Sequence, residues 1–215
     1  MRSFTVLRGS AFCNPYGKKF NYLMLNLQWP RTFVMNNPRG DEEAQRTHKA
    51  THGYLFTIHG LWPQLNGYGP THCNHTETFD LRTVEAIPNI WRYWTSFAMR
   101  TPNFWNYEWQ KHGTCAANLE KLSTLKAYFQ FSVDRAMEFD QNVYQRLGDD
   151  FSPSNNKSIS AGRFKNSIEN LHAYRVDLRC RYGRISDIRL CYDLELRPID
   201  CEKSSNCFGE VILPA

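Results

Sequence analysis

The chain has 215 residues, of which 41% are hydrophobic and 14% aromatic, and it carries a formal net charge of +5. This length favours one domain with a substantial core, and no window approaches the roughly 18 consecutive apolar residues of a membrane span. The positive charge would assist association with a polyanion, although it is equally typical of ordinary solubility. The composition therefore predicts one globular domain with no membrane partner.

Seven cysteines and two glycosylation sequons indicate an exported protein. Several of the cysteines lie close together near the C-terminus: Cys180, Cys191, Cys201 and Cys207. Their spacing lacks the C-x₂-C pairs of common zinc sites, so disulfides are favoured. The sequons predict glycosylation of Asn74 and Asn156. The first residues are too poor in apolar side chains for a signal peptide, so either a leader has been removed or export is unconventional. We expect a secreted protein, or one in the lysosomal or endomembrane lumen.

The first third of the chain combines strand patterns with a long polar segment. Residues 20–30 predict a strand that ends at a proline. Residues 31–53 are polar and lack periodicity, which predicts a long surface loop. Residues 54–58 predict a second strand, which the following glycine and proline would end sharply. His59 would then lie at a strand end and Trp62 in the turn after it.

The remaining elements are predicted helices followed by strands. Helices are predicted at residues 81–98 with a break near Pro88, 104–112 with Gly113 as a stop signal, 119–147, and 160–171 with Ser160 as the N-cap. Strands are predicted at residues 174–181, 185–196 and 208–213. This order indicates an α+β single domain whose central, mainly antiparallel sheet is flanked by helices. Trp91, Trp94 and Phe97 are predicted to face the core.

The segment 104–115 has the strongest concentration of reactive side chains. Helical spacing places Phe104, Glu108 and His112 on one face, with Lys111 beside them. An acid-base group next to a fixed positive charge suits chemistry on a phosphate ester. An amphipathic helix with a solvated, charged face explains this segment equally well, so the segment alone leaves both interpretations open.

Three short motifs in this order add a resemblance to a known family. LQWP at 27–30, IHGLWP at 58–63 and EWQKHGTC at 108–115 resemble the signatures of the RNase T2 family of secreted, metal-independent endoribonucleases. The resemblance extends from about residue 20 to the C-terminal cysteines. It implies an RNase T2-like catalytic domain over residues 20–215, preceded by an N-terminal extension at residues 1–19.

The resemblance also implies the roles of the reactive side chains. His112 would be the general base and His59 the general acid, while Lys111 and Glu108 would stabilise the pentacoordinate phosphorus and set the protonation of the histidines. Histidine suits both roles because its reference pKa is about 6.5. Single-stranded RNA would be cleaved to a 2′,3′-cyclic phosphate and then hydrolysed to a 3′-phosphate. DNA lacks the 2′-hydroxyl and would be spared. No cofactor or metal is implied.

Base recognition in the family implies a second set of residues. Trp62 matches one base site, and Gln28 and Phe104 match the other, although core packing is the alternative explanation for both aromatic side chains. Tyr107 replaces a histidine that contacts phosphate in the family, and its hydroxyl can donate a hydrogen bond but carries no charge near pH 7. Gln64 occupies a position where many members have aspartate, which leaves the base preference open.

The family pattern implies three disulfides: Cys73–Cys115, Cys180–Cys207 and Cys191–Cys201. The family's cysteine pair in the loop after QWP is missing here. Cys13 is therefore left over, either free or as an intermolecular bridge. We expect a monomer, with a Cys13-linked dimer as the alternative.

Two rival functions are compatible with the sequence. One is a non-catalytic or weakly active secreted glycoprotein of the same fold that binds RNA or glycans. The other is a zinc site formed by His59, His72, Cys73 and His75, which a glycan on Asn74 or a disulfide at Cys73 would exclude. The remaining histidines are predicted to be surface residues: His48, His52 and His172.

Overall fold

The computed structural model describes residues 12–13, 19–202 and 205–215. The strands in this part of the chain are β1 Phe12–Cys13, β2 Lys19–Phe20, β3 Tyr22–Gln28, β4 Thr57–Gln64, β5 Ser158–Ser160, β6 Asp177–Arg181, β7 Arg184–Tyr192, β8 Pro198–Ile199 and β9 Glu210–Ile212. β1 pairs with β2, and the others form one sheet in the order β4-β3-β7-β9-β5, with β6 and β8 also paired to β7.

Helices pack against this sheet and connect its strands. The α-helices are α1 Pro30–Met35, α2 Glu42–His52, α3 Leu81–Glu85, α4 Ile90–Tyr93, α5 Thr101–Glu108, α6 Thr114–Ala116, α7 Leu125–Asn142 and α8 Ala161–His172. A π-helical turn, Trp109–Gly113, joins α5 to α6, and short 3₁₀ turns cover Glu120–Leu122, Tyr144–Arg146 and Asp149–Phe151. None of the described helices is both long and apolar enough to span a membrane.

The pairing of the large sheet is antiparallel except between β7 and β9, where Arg184 pairs with Ile212 in parallel. The predicted α+β single domain with a mainly antiparallel sheet is therefore confirmed. The late strands β6, β7 and β9 fall close to their predicted positions, and Ser160 caps α8 by accepting a hydrogen bond from the Arg163 amide at 3.4 Å.

The loop predicted over residues 31–53 is wrong, because it contains α1 and α2. The side chain of Asp41 caps α2 by accepting a hydrogen bond from the Ala44 amide at 2.8 Å. The residues that α2 buries are Gln45 and His48, which are both polar. Because a hydrophobic stripe is the main sequence signal of a helix, a helix with a polar buried face leaves none.

The helical segment predicted over residues 81–98 consists of two short helices, α3 and α4, and the predicted break near Pro88 is confirmed. Residues 86–89 separate them, and Asn89 has a left-handed φ of 62° that interrupts the helical geometry. Trp94 and Phe97 are buried as predicted, but Trp91 is 45% exposed, so its assignment to the core is wrong. The single helical periodicity that assigned Trp91 to the core does not continue through this break.

The core lies between one face of the sheet and the helices. Leu23, Leu25 and Leu27 alternate along β3 and are fully buried, as are Tyr128 and Phe129 of α7 in the same cluster. The opposite face of β3 presents Met24 and polar side chains instead. This division leaves one face of the sheet for packing and the other for polar chemistry.

The prediction that His48 is a surface residue is wrong, because its side chain is only 8% exposed. Its Nε2 is 2.8 Å from the carbonyl oxygen of Arg92, and its ring packs on His52 and Phe97. Burial lowers the pKa of His48 to about 4, so it is neutral near pH 7. His52 and His172 are partly buried.

The three disulfides have the predicted pairing: Cys73–Cys115, Cys180–Cys207 and Cys191–Cys201. The first connects the loop after β4 to α6 and so ties together the two motif-bearing segments of the chain. Most of the predicted N-terminal extension, residues 1–19, lies outside the described part of the chain. The side chain of Cys13 also lies outside it, so the proposed intermolecular bridge stays a prediction.

Candidate active site

His59 occupies a β-bulge within β4 rather than the predicted strand end. Asn26 of β3 pairs with Gly60 and the next residue, Leu27, pairs with Ile58, so His59 is the extra residue between them. A bulge redirects the side chain that it contains. The strand continues past His59 to Gln64. Pro63 does not end it, because β4 is an edge strand and a proline at the edge removes no essential hydrogen bond.

Gly60 permits the close approach of a carboxylate to β4. A Cβ atom at this position would lie 2.1 Å from Oε2 of Glu108 and 2.3 Å from Nε1 of Trp62. Those two atoms are themselves hydrogen-bonded, with Trp62 Nε1 donating to Glu108 Oε2 at 3.1 Å. Any side chain at position 60 would therefore displace the carboxylate or the indole.

The second motif lies in an irregular helix. Gly113 was predicted to end this helix, but the helix continues past it. α5 continues through the π-helical turn, which contains Lys111 and His112, into α6. A Cβ atom on Gly113 would lie 2.3 Å from the Trp109 ring, so the glycine serves close packing. π-Helical turns inside α-helices occur frequently at functional sites. Cys115 anchors the end of this segment through its disulfide.

The two motifs meet at the indole ring of Trp62. Its ring centroid is 5.1 Å from that of His59 and 5.4 Å from that of His112. Phe104 completes the cluster, with its centroid 5.8 Å from His59. The structure thus brings together residues from β4, α5 and the π-helical turn, including Glu108 through its hydrogen bond to Trp62.

Lys111 and Tyr107 form the exposed border of this cluster. Lys111 Nζ donates a hydrogen bond to the Tyr107 hydroxyl at 2.9 Å, and the ammonium also lies 5.1 Å from the centre of the tyrosine ring. Tyr107 is 44% exposed. A positively charged group and a hydroxyl are therefore held side by side at the open edge of the cluster.

Gln28 and Gln64 lie near opposite ends of the β3–β4 pair. Gln28 pairs with Thr57, two residues before His59, and Gln64 pairs with Tyr22. Both glutamine side chains are buried. Because side chains alternate along a strand, Gln28 lies on the same face of β3 as Asn26, the partner of Gly60. Gln28 thus faces the side of the sheet that carries the cluster.

Burial sets the protonation of the two histidines. It lowers the pKa of His59 to about 4, a shift that Asp187 opposes and that the charges of Lys111, Arg189 and Arg181 reinforce. It lowers the pKa of His112 to about 3, again with the help of Lys111. The Nδ1 atom of His112 is buried and has no hydrogen-bond partner in the described residues. Both rings are neutral near pH 7.

Glu108 has the opposite shift. The carboxyl is 1% exposed, and burial raises its pKa to about 7, although the hydrogen bond from Trp62 and the charge of Lys111 both act to lower it. The site therefore contains a carboxyl that is protonated in acid and ionised in mild base. Groups with strongly shifted pKa values in one cluster are typical of catalytic sites.

A polar network beside His59 was missed by the sequence analysis. Asn26 Nδ2 donates to Asp187 Oδ1 at 3.1 Å, and Arg189 Nε donates to Asn26 Oδ1 at 3.2 Å. Arg189 and Arg179 both donate to Asp177 Oδ2, at 3.2 and 2.8 Å. The alternation of charged residues along β6 and β7 is a signal that could have indicated a polar face of the sheet.

The rival interpretations can be compared with these positions. Phe104 is 8% exposed and packs against the core, but Trp62 is partly exposed and contacts both histidines. Cys73 is in a disulfide and is unavailable as a zinc thiolate. Among the described residues, no group of three His, Cys, Asp or Glu side chains is arranged to hold a metal ion. Asn74 and Asn156 are both exposed.

Known proteins with similar sequences and folds identify the family of this chain. The Ribonuclease T2 family matches residues 20–201. Ribonuclease T2 of Danio rerio is 30% identical over 212 residues, which cover 94% of this chain and 81% of the relative. The structure of RNase NT in complex with 5′-AMP is 25% identical, with a TM-score of 0.75 over 91% of this chain and 98% of the other. The S-like ribonuclease trichomaglin is 27% identical, with a TM-score of 0.72 over the same shares of the two chains.

The sequence and the fold point to the same family. The family match covers most of the chain, and the structural similarity extends over nine-tenths of it. The chain therefore belongs to the ribonuclease T2 family and is a T2-type endoribonuclease.

Proposed function

We propose that this protein cleaves single-stranded RNA by transesterification, with His112 as the general base and His59 as the general acid. The observation that carries the proposal is the convergence of both rings on Trp62 from separate elements, within 5.1 and 5.4 Å of its centroid. Two imidazoles that both contact one fixed ring can act on the attacking and leaving oxygens of a single phosphodiester. General acid-base catalysis contributes roughly 10² to 10⁴ in rate.

Each proton has a defined route in this mechanism. His112 removes the proton of the 2′-hydroxyl, whose oxygen attacks phosphorus, and the bond from phosphorus to the 5′-oxygen breaks as His59 protonates that oxygen. The first product is a 2′,3′-cyclic phosphate. Water then attacks the cyclic phosphate with the roles exchanged: His59 removes a proton from water, and His112 returns one to the 2′-oxygen. The final product is a 3′-phosphate.

Lys111 and Glu108 stabilise the phosphorane in this proposal. The partly exposed ammonium of Lys111 lies in the turn that holds His112, where it can neutralise the developing charge on the phosphoryl oxygens. Glu108 is protonated below its pKa of about 7, so in acid its carboxyl can donate a hydrogen bond to a phosphoryl oxygen. The Tyr107 hydroxyl, hydrogen-bonded to Lys111, provides a neutral phosphate contact where the family usually has histidine.

Base binding is proposed for the aromatic and amide groups around the histidines. The partly exposed Trp62 offers a stacking surface at one base site, while Phe104 and Gln28 serve the other. Stacking contributes roughly 1 to 3 kcal/mol per base and is tolerant of sequence. We therefore expect a broad base preference, with Gln64 in place of the usual aspartate.

The structure supports further proposals about cellular location and assembly. The three disulfides support an oxidising location, either outside the cell or in the lysosomal or endomembrane lumen. The exposure of Asn74 and Asn156 supports their glycosylation. Because one chain supplies all of the proposed catalytic groups, we propose that the enzyme acts as a monomer.

The proposal is tested with ribodinucleoside monophosphates and their 2′-deoxy counterparts, each digested in EDTA. We expect the ribose substrates to be cleaved at an undiminished rate in EDTA, because the proposed mechanism uses only side chains. The 2′-deoxy substrates should be uncleaved, because they lack the attacking hydroxyl. Loss of ribose cleavage in EDTA, or cleavage of a deoxy substrate, would exclude the mechanism.

A further inference from the structure

We propose that Arg181 binds a phosphate of the RNA chain beyond the scissile one, which gives the enzyme an additional nucleotide subsite on β6. This inference rests on the proposed ribonuclease function and extends it from the cleaved bond to the length of substrate that is bound. It concerns the end of β6, a part of the sheet that contributes no residue to the proposed catalytic cluster.

The register of the strands places Arg181 on the catalytic face of the sheet. Gln28 of β3 pairs with Asp187 of β7, which in turn pairs with Arg179 of β6, so these three share one face. Cys180 packs against the hydrophobic core on the opposite face. Arg181, the next residue, therefore returns to the face that carries Arg179, at the end of β6.

Arg181 differs from the neighbouring arginines in having a free charge. The guanidinium groups of Arg179 and Arg189 both bind the buried carboxylate of Asp177, whose side chain is 1% exposed. The backbone of Arg181 pairs with Arg184 in the sheet, but its exposed side chain makes no ion pair or hydrogen bond with the residues that the structure describes. A guanidinium with no competing carboxylate is available for a ligand phosphate.

The charge of Arg181 is close to the catalytic centre without being part of it. Together with Lys111 it lowers the pKa of His59, so its field reaches the imidazole. In the sheet, however, β6 is separated from β4 by β3 and β7, which corresponds to about 14 Å at ~4.8 Å per strand. Lys111 lies in the π-helical turn that packs over β4, and so on the opposite side of this group of strands from Arg181. Lys111 and Arg181, neither of which is paired with a carboxylate among the described residues, thus mark a path across the polar face of the sheet, which suits two different phosphates of one RNA chain.

The turn after Arg181 adds an aromatic surface next to this charge. Tyr182 is 83% exposed and has a φ of 48°, as the first of two left-handed residues in the β6–β7 turn. Alternation of cationic and exposed aromatic side chains is typical of surfaces that bind single-stranded nucleic acid, because every base can stack on a ring. Arg181 and Tyr182 together therefore favour a nucleotide rather than an isolated anion as the ligand.

The test compares Arg181→Gln with the matched control Arg163→Gln, which removes an equal charge from the exposed face of α8. Two substrates are used: a ribodinucleoside monophosphate with one phosphate, and a DNA hexamer with one internal ribonucleotide, which fixes the cleaved bond. We expect R181Q to lower kcat/KM about tenfold on the hexamer and less than about twofold on the dinucleotide. The salt dependence on the hexamer should become shallower by about 0.7 in log-log slope, the value for one phosphate contact on a single strand.

Loss of catalytic power cannot mimic this pattern. Removing the positive charge of Arg181 raises rather than lowers the pKa of His59. A larger fraction of His59 is then protonated, and so able to act as the acid, at a given pH. Equal kinetics of R181Q and R163Q on the hexamer would overturn the proposal, as would an equal loss on both substrates. Binding of an all-deoxy hexamer, followed by fluorescence anisotropy, gives a second readout. R181Q should weaken it even if the wild-type protein proves unable to cleave RNA, so failure of the subsite and failure of the ribonuclease mechanism are distinguishable.

Discussion

Replacement of either His59 or His112 by alanine is expected to lower kcat/KM for RNA cleavage by about 10²- to 10⁴-fold. The physical reason is that each imidazole handles one proton of the same step, and no other described side chain in the cluster can substitute for it at the same position. The double variant should lose little more than the worse single variant, because groups that act as a unit are not additive. Initial rates on a ribodinucleotide provide the measurement.

His172→Ala is the matched control, because His172 lies at the end of α8 and packs on Tyr174. It should retain the wild-type rate. Thermal unfolding of each variant separates lost chemistry from lost structure, which matters because His112 is buried. A His59 or His112 variant that is folded and keeps full activity would show that the two-histidine mechanism is wrong.

The pH dependence of cleavage is the second large effect, and its sign follows from the lowered histidine pKa values. His59 must be protonated to act as an acid, and its pKa of about 4 means that this form is lost as the pH rises above 4. His112 must be neutral to act as a base, and its pKa of about 3 means that this form is lost below 3. We expect a bell-shaped kcat/KM with its maximum in acid, falling about tenfold per pH unit on the alkaline side.

Bound substrate should move this profile in a known direction. The negative phosphate favours the charged form of both imidazoles, so the maximum of kcat should lie at higher pH than that of kcat/KM. A profile that is flat from about pH 4 to about pH 8, or one that rises through this range, would contradict the assignment of His59 as the acid. Glu108→Gln should reveal the contribution of the carboxyl, since it keeps an acceptor for Trp62 Nε1 but removes the titration near pH 7.

Unfolding must be followed over the same pH range, because the same shifts affect stability. His48 and His112 are buried in neutral form, so the stability that they contribute is present above about pH 6.5 and is lost as the pH falls through their folded pKa values. Glu108 contributes in the opposite sense, because its raised pKa stabilises the fold in acid and this gain is lost as the pH rises through about 7. Circular dichroism at each pH identifies any rate loss that reflects unfolding.

The site residues that lie close together in the chain could be predicted from the sequence. The EWQKHGTC motif contains a carboxyl, an ammonium and an imidazole within five residues, so helical spacing alone brings them close. The contribution of IHGLWP at 58–63 depends on tertiary contact, and the family resemblance rather than periodicity predicted it. The structure then brings His59 and Trp62 onto Glu108 and His112, and it contains the three predicted disulfides.

The errors in the predicted ends of the strand and the helix have a common physical origin. Both predictions used local preferences of glycine and proline, which tertiary packing overrides. Glycine and proline usually end a strand. In this strand, however, Gly60 makes room for the Glu108 carboxylate, and Pro63 occupies an edge strand. Glycine often ends a helix as well, but Gly113 instead makes room for the Trp109 ring. At both glycines the absence of a side chain serves packing, against Glu108 of a distant element at Gly60 and against a ring four residues earlier at Gly113. Local propensity contains neither contact.

The partners of the buried polar groups could not be predicted from the sequence. α2 buries His48 against a backbone carbonyl instead of an apolar stripe, so neither the helix nor the burial had a hydrophobic signal. The network of Asn26, Asp187 and Arg189 depends on the register of β3 and β7, which are about 160 residues apart in the chain. Register over such a separation is fixed by the whole sheet.

The order in which products appear from one ribodinucleoside monophosphate tests the central claim most directly. Samples are taken over time in EDTA and separated by chromatography. If the 2′-hydroxyl attacks phosphorus with His112 as base and His59 as acid, a 2′,3′-cyclic phosphate should accumulate first and then convert to the 3′-phosphate alone. A 3′-phosphate that forms without the cyclic intermediate, or a product with a 5′-phosphate, would contradict the mechanism.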